Sequence, residues 1–190
     1  MSTLEAYAAA MDVCDPDLGG HAARVSATGV AIARRLDWSE VRIRGLELGA
    51  ALHDVGKVNI RPGVLEKPGR LDPAEVAAIR AHPVEGAWLI SGIRSLQAAL
   101  PYVLFHHERW DGEGYPTRRR GTEIPLEGRV LAVADAFDAM TSERPYRAAL
   151  TQEAAVEEVL VCSGTQFDPG VVEAFLAVVE AGEAGAAVAA

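Results

Sequence analysis

Glu40-Val-Arg-Ile-Arg-Gly-Leu-Glu-Leu-Gly-Ala-Ala-Leu52, with His53-Asp54 directly behind it, is the stretch on which the fold turns. Ser39 stands before it as a cap, and the spacing predicts one helix from Glu40 to about His53. The half from Gly45 to Leu52 is apolar on most sides, so this helix belongs at the centre of a domain. Upstream, Val25, Thr28, Ile32 and Leu36 recur at helical spacing in a helix that starts near Gly20, and another helix is expected from Leu4 to Val13. Downstream, Asp72-Pro-Ala-Glu75 puts a capping Asp, a first-position Pro and a third-position Glu at the head of a helix running to about Ala81.

Further helices are expected from Pro83 through Ile90, from Leu96 to about His107 and from Leu126 to Ser142, with two more opened by Thr151 and Asp168-Pro169. Residues 55–70 and 109–125, rich in Gly, Pro and charge, read as loops. No run of alternating residues is long enough for a strand. The expectation is an all-α fold: a single compact helical domain of about seven to eight helices with two functional loops. It would occupy residues 1–180, ahead of a frayed Ala/Gly-rich tail over 181–190.

Composition agrees. The chain has 190 residues, enough for one domain with a sizeable core, and only 6% are aromatic, which favours helices over a β-sandwich. A net charge of −9 excludes a broad nucleic-acid-binding face, though not a small phosphate-bearing ligand held by metals and a few local cations. Cys14 and Cys162 form no CxxC, which argues against a disulfide framework or a zinc-thiolate site; both read as small buried or half-buried residues. The N-terminus lacks a signal pattern, and no apolar run reaches the ~18 residues of a membrane span, so a cytoplasmic location is expected.

The chemistry lies in five histidines: His21, His53, His82, His106 and His107. Each falls near a helix end or a loop junction. A lone histidine in a helical protein is more often a satisfied side chain than a ligand; it is the joint pattern with Asp54 and Asp135 that points to a site. Imidazole plus carboxylate without thiolate suits iron, manganese or similar ions. Seven such groups exceed what one octahedral ion needs once it keeps water for chemistry. Neighbours on a helix point ~100° apart, so His106 and His107 would serve two ions rather than chelate one. Asp54 carries two oxygens and could bridge them, and such a pair of ions can hold a hydroxide at neutral pH and clamp a phosphoryl group. Asp138, one turn beyond Asp135, reads as a solvated or capping group.

His53-Asp54-Val-Gly-Lys57 resembles the signature of the HD superfamily of phosphohydrolases, and His106-His107-Glu-Arg-Trp-Asp111-Gly-Glu-Gly114-Tyr115-Pro116 resembles that of its HD-GYP subgroup. Ile60 to Leu71, His82-Pro83-Val-Glu-Gly86, Asp135 to Arg147 and Gly164 to Pro169 also fit the family, so the resemblance covers about residues 12–176. It implies a bacterial phosphodiesterase in which a metal-bridging hydroxide attacks a cyclic dinucleotide, with cyclic di-GMP opened to the linear dinucleotide pGpG or cut to GMP. The implied cofactors are two or three divalent ions, iron or manganese, on His21, His53, Asp54, His82, His106, His107 and Asp135. Asp17 stands where three-metal members carry a glutamate, and joins the set only if a third ion is present. Lys57 would sit on the scissile phosphate, with Arg144 and Arg147 as the phosphate-binding pair.

Tyr115 would line the substrate pocket or brace the metal site, and Arg118-Arg119-Arg120 reads as solvated surface. The alternatives are a phosphodiesterase for another, cGAMP-like cyclic dinucleotide, a general HD nucleotide phosphohydrolase, and a non-catalytic cyclic-dinucleotide sensor or interaction module. Expected partners are the cyclic dinucleotide and either a signalling protein or a second copy of the chain, with no nucleic-acid polymer and no membrane.

Overall fold

The computed structural model describes residues 20–65, 67–143 and 148–184. The expected helix at residues 4–13, together with Cys14, Asp17, Arg144, Arg147 and most of the tail, lies outside them. Apart from the single helical turn Pro62–Leu65, eight α-helices run in order among the described residues: α1 (His21–Arg35), α2 (Glu40–Leu52), α3 (Pro73–Arg80), α4 (His82–Ser91), α5 (Leu100–Phe105), α6 (Leu126–Thr141), α7 (Gln152–Val161) and α8 (Pro169–Glu180). No strand occurs among these residues, so the all-α expectation holds. None of the helices is long and apolar enough to cross a membrane.

Helix α2 is central, as its sequence requires. Ile43, Leu46, Ala50, Ala51 and Leu52 are all buried. It packs between α1 and α5, and both approaches need small residues. A Cβ at Gly29 would meet Leu46, and one at Gly49 would overlap the Tyr102 ring. The main core gathers Ile32, Leu46, Tyr102, Val130, Val133 and Phe137 with Phe175 and Val178 of α8. A smaller cluster of Leu52, Ile90, Leu96 and Val103 lies on the other side of α2 and holds α4 and α5 in place.

The helix starts are local chemistry. Asp72 accepts bonds from the amides of Ala74 and Glu75 while the Glu75 carboxylate takes the Asp72 amide, a complete capping box. The side chains of Thr151 and Asp168 cap α7 and α8. Ser39 precedes α2 in extended backbone but makes no side-chain cap bond.

Two expectations need correction. Residues 55–70 are not a plain loop. Val55–Asn59 forms a 3-10 helix and Pro62–Leu65 one helical turn, closed locally by Lys57 N–H to the Asp54 carbonyl and Val64 N–H to the Arg61 carbonyl. The single helix expected from Leu96 to His107 is a 3-10 segment, Arg94–Ala99, followed by α5. Pro101 is the reason: without an N–H it cannot continue an upstream helix, and it sits in the first turn of a new one.

Candidate metal centre

Helix ends converge on one point. His21 is the first residue of α1, His53 the cap at the end of α2, His82 the first residue of α4, and His106 the cap at the end of α5. His107 follows, Asp54 opens the 3-10 turn after α2, and Asp135 projects from the middle of α6. His21, His53, His82 and His106 are buried, while His107, Asp54 and Asp135 are half-buried.

Each of the four buried rings has its Nδ1 against an acceptor that carries no hydrogen. His53 Nδ1 lies 2.8 Å from the Ala50 carbonyl, and His82 Nδ1 2.7 Å from that of Ile79. His106 Nδ1 lies 3.0 Å from the Val103 carbonyl and 3.1 Å from that of Tyr102. These carbonyls belong to the last turns of α2, α3 and α5, where a helix has acceptor capacity to spare; that of Tyr102 also takes the His106 amide. His21 Nδ1 is 2.7 Å from Asp138 Oδ2. Nδ1 must therefore donate, so in its neutral form each ring turns a bare Nε2 lone pair inward.

Those lone pairs face one another. His21 and His53 bring their Nε2 atoms to 3.4 Å, and His82 and His106 bring theirs to 3.2 Å. Two bare nitrogens at that distance repel unless a cation lies between them, and this donor chemistry fits a metal. The Asp54 carboxylate divides between the pairs: Oδ1 is 3.2 Å from His82 Nε2 and 4.0 Å from His106 Nε2, and Oδ2 is 3.4 Å from His53 Nε2. Asp135 Oδ1 joins the first pair, 3.4 Å from His21 Nε2 and 3.9 Å from His53 Nε2.

The donors thus form two groups with Asp54 in both: His21, His53 and Asp54, with Asp135 beside them, and Asp54, His82, His106 and His107. Contrary to the helical-spacing argument, His106 and His107 fall in the same group. The helix ends at Phe105, so the two histidines occupy a turn rather than successive helical positions, and their rings lie 4.1 Å apart at 44°.

Electrostatics follow from burial and these contacts. Burial pulls His106 well below the usual imidazole range, and the neighbouring His107 adds to the effect. Burial likewise lowers His107, to about 4. For His21 burial also pulls down, but the Asp138 hydrogen bond and the charges of Asp135, Asp138 and Asp54 together win and raise it. Burial would raise Asp54; Lys57, whose Nζ lies 2.7 Å from Oδ2, and the surrounding histidines instead hold it well below the usual carboxylate range.

A cleft of about 270 Å³ opens from the His106, His107 and Asp135 side. Tyr115 stacks on His107 with ring centroids 4.8 Å apart, and also lines this cleft. Three features escaped the sequence reading. Asp138 is not solvated but buried, held by Arg24 and bonded to His21. Arg80 lines the cleft with its guanidinium 5.4 Å from the Tyr115 ring centre. Glu108 is buried and takes both the amide (2.6 Å) and the hydroxyl (2.7 Å) of Thr117, which ties down the Gly114-Tyr115-Pro116 loop. The i, i+3 spacing of Asp135 and Asp138 was the one available signal for the first. Arg118, Arg119 and Arg120 are exposed, as expected.

Comparison with known proteins agrees with this geometry. The model of an HD-domain family matches residues 8–171. The "Cyclic di-GMP phosphodiesterase response regulator RpfG" of Xanthomonas campestris pv. campestris is 42% identical over 176 residues, covering 92% of this chain and 47% of that protein. The "3'3'-cGAMP-specific phosphodiesterase 2" of Vibrio cholerae is 37% identical over 169 residues, 88% of this chain and 32% of that protein. Among solved structures, an HDG"Y"P protein from Bdellovibrio bacteriovorus superposes with a TM-score of 0.67 at 20% identity, over 84% of this chain and 51% of that one; it shares the fold. The chain belongs to the HD-domain family. Its Gly114-Tyr115-Pro116 loop behind His106-His107, and its 42% identity to the Xanthomonas relative, put it in the HD-GYP group. It spans less than half the length of the two curated relatives.

Proposed function

We propose that the chain, with residues 1–180 as the catalytic domain, is a metal-dependent phosphodiesterase that hydrolyses cyclic di-GMP to pGpG, to GMP or to both. The observation that carries this reading is the inward-facing set of four Nε2 lone pairs around a shared Asp54 carboxylate. His21, His53, Asp54 and Asp135 would hold one divalent ion, and Asp54, His82, His106 and His107 a second. Asp17, outside the described residues, would assist only a third. The absence of thiolate from this donor set favours iron or manganese. Bound there, two cations supply electrophilic charge to a phosphodiester and make water a nucleophile at neutral pH.

The chain's own residues do the rest. Nδ1 contacts keep the imidazoles in one tautomer, so that no ring rearranges when an ion enters. Lys57 Nζ stands beside Asp54, where a compact cation stabilises charge developing on the scissile phosphate. The cleft of about 270 Å³ lies just below the ~300–1,000 Å³ of small-molecule sites and opens beside His106, His107 and Asp135. Tyr115 forms part of its wall and fixes His107. Arg144 and Arg147 are assigned to the phosphates by resemblance alone.

The test is chromatography of products from a panel of cyclic di-GMP, 3'3'-cGAMP and an acyclic nucleotide, with manganese- or iron-loaded protein. Cleavage of cyclic di-GMP ahead of the others supports the proposal, and cleavage of the acyclic nucleotide alone sinks it. The similarity to a cGAMP-specific relative sustains a second reading, in which 3'3'-cGAMP is the preferred member of the panel.

A further inference from the structure

The four buried imidazoles are not supported alike. His53, His82 and His106 each meet a carbonyl three or four residues back, at the end of a helix. The local backbone sets their tautomers, and no side-chain substitution removes it. His21 stands instead at the start of α1, where a helix offers free amides and no free carbonyl. Its Nδ1 needs an acceptor from elsewhere, and 117 residues away in the chain Asp138 of α6 supplies one at 2.7 Å.

Asp138 is itself fixed. Arg24, one turn along α1 from His21, donates through Nε to Oδ1 at 2.5 Å and through Nη2 to Oδ2 at 3.2 Å. The Ser142 hydroxyl lies 3.3 Å from Oδ2, and Arg24 Nη2 also reaches that hydroxyl at 3.0 Å. Both carboxylate oxygens are thus surrounded by donors and Asp138 is 4% exposed, an arrangement that holds one acceptor atom against one ring.

We propose that Asp138 is a positioning residue that holds His21 in the tautomer and orientation presenting Nε2, and so supports the His21/His53 cation position and not the His82/His106/His107 one. The inference rests on reading the site as a two-cation centre. It predicts unequal positions: one whose buried imidazoles, His82 and His106, rest on backbone carbonyls, the other dependent on a side chain from another helix. Asp138→Asn is the sharp probe because it keeps shape while offering one oxygen and one NH2. With the oxygen toward His21, the NH2 collides with the Arg24 donors. With the NH2 toward His21, Nδ1 must become the acceptor and Nε2 takes the proton, which removes the lone pair.

The experiment is a manganese titration of chelator-stripped protein by calorimetry, wild type against Asp138→Asn, with nitrogen NMR of the histidine rings of the stripped proteins. Wild type takes up two or more equivalents. In the variant one equivalent binds as before and one weakens by roughly 10–100-fold, as loss of such a supporting contact does. The His21 ring alone changes its nitrogen pattern. Unchanged binding, or equal weakening of both equivalents, overturns the inference and leaves the metal-centre reading standing. Uptake of fewer than two equivalents by wild type overturns both. Should Asp138→Asn fail to fold, Arg24→Gln carries the same test: it loosens Asp138 while leaving its carboxylate in place. One equivalent then weakens alone, by several-fold, and unchanged or uniform binding overturns the inference.

Discussion

Gly56, in the turn after His53-Asp54, is where a single methyl group does most damage. A Cβ there would overlap the His82 carbonyl oxygen and lie 2.6 Å from the Gly86 nitrogen and 2.9 Å from the His82 carbonyl carbon. All are backbone atoms of the first turn of α4, so no rotamer change relieves the clash. The turn and the helix must separate, and with them Asp54 Oδ1 and His82 Nε2, now 3.2 Å apart. Overpacking a core costs typically ~1–3 kcal/mol, and a backbone clash belongs at the upper end. At roughly 2–4 °C per kcal/mol for a chain of this size, the Tm of chelated Gly56→Ala falls by roughly 6–12 °C. The same displacement weakens manganese binding by at least the ~10-fold expected of a disturbed supporting contact. Gly63→Ala is the control: its Cβ meets nothing within 4 Å, so Tm and binding stay as in wild type. Thermal unfolding and calorimetric titration read both quantities. Gly56→Ala with wild-type Tm and wild-type binding would refute the claim that close approach of this turn to α4 builds the site.

Chelation should lower the Tm, and manganese at 100 times its Kd should restore about 2.7 kcal/mol, read by thermal unfolding; an indifferent Tm contradicts cation binding to the native state. Tyr115→Phe keeps the ring on His107 and should bind manganese like wild type, whereas Tyr115→Ala loses a stack worth about 1 kcal/mol and should bind roughly five-fold more weakly. Equal binding by the two variants removes Tyr115 from the support of the site. In chelated protein, His106 and His107 titrate below their unfolded value of 6.5, so the unfolded chain binds more protons in that interval. Their contribution is complete above pH 6.5 and is lost as pH falls toward about 4 for His107, while the raised His21 acts in the opposite sense and offsets part of it. The Tm of chelated protein should therefore drop between pH 7 and pH 5, and a rise over that interval contradicts the neutral, buried state of these rings.

The sequence carried the site further than the fold's details. The histidines lie at helix punctuation that can be read locally, and the apolar surround of Gly45 to Leu52 places α2 at the centre. What stayed hidden depends on distant partners. Asp138 looked solvated because nothing within one helix shows that Arg24 and His21 of α1 cover it. His106 and His107 looked divergent because the end of α5 at Phe105 has no glycine or capping residue to mark it. Arg80 drew no notice as one more surface arginine of a helix, until packing placed it across the cleft from the loop that carries Tyr115.

The central claim is that two cation positions sharing Asp54 perform phosphodiester hydrolysis. The most direct measurement is cyclic di-GMP turnover together with metal content, on wild-type and Asp54→Ala protein purified without oxygen. Wild type should hydrolyse the dinucleotide with two or more equivalents of iron or manganese, and Asp54→Ala should lose metal and activity together. Full turnover by Asp54→Ala, or a fully loaded wild type that cleaves no cyclic dinucleotide, would contradict the claim.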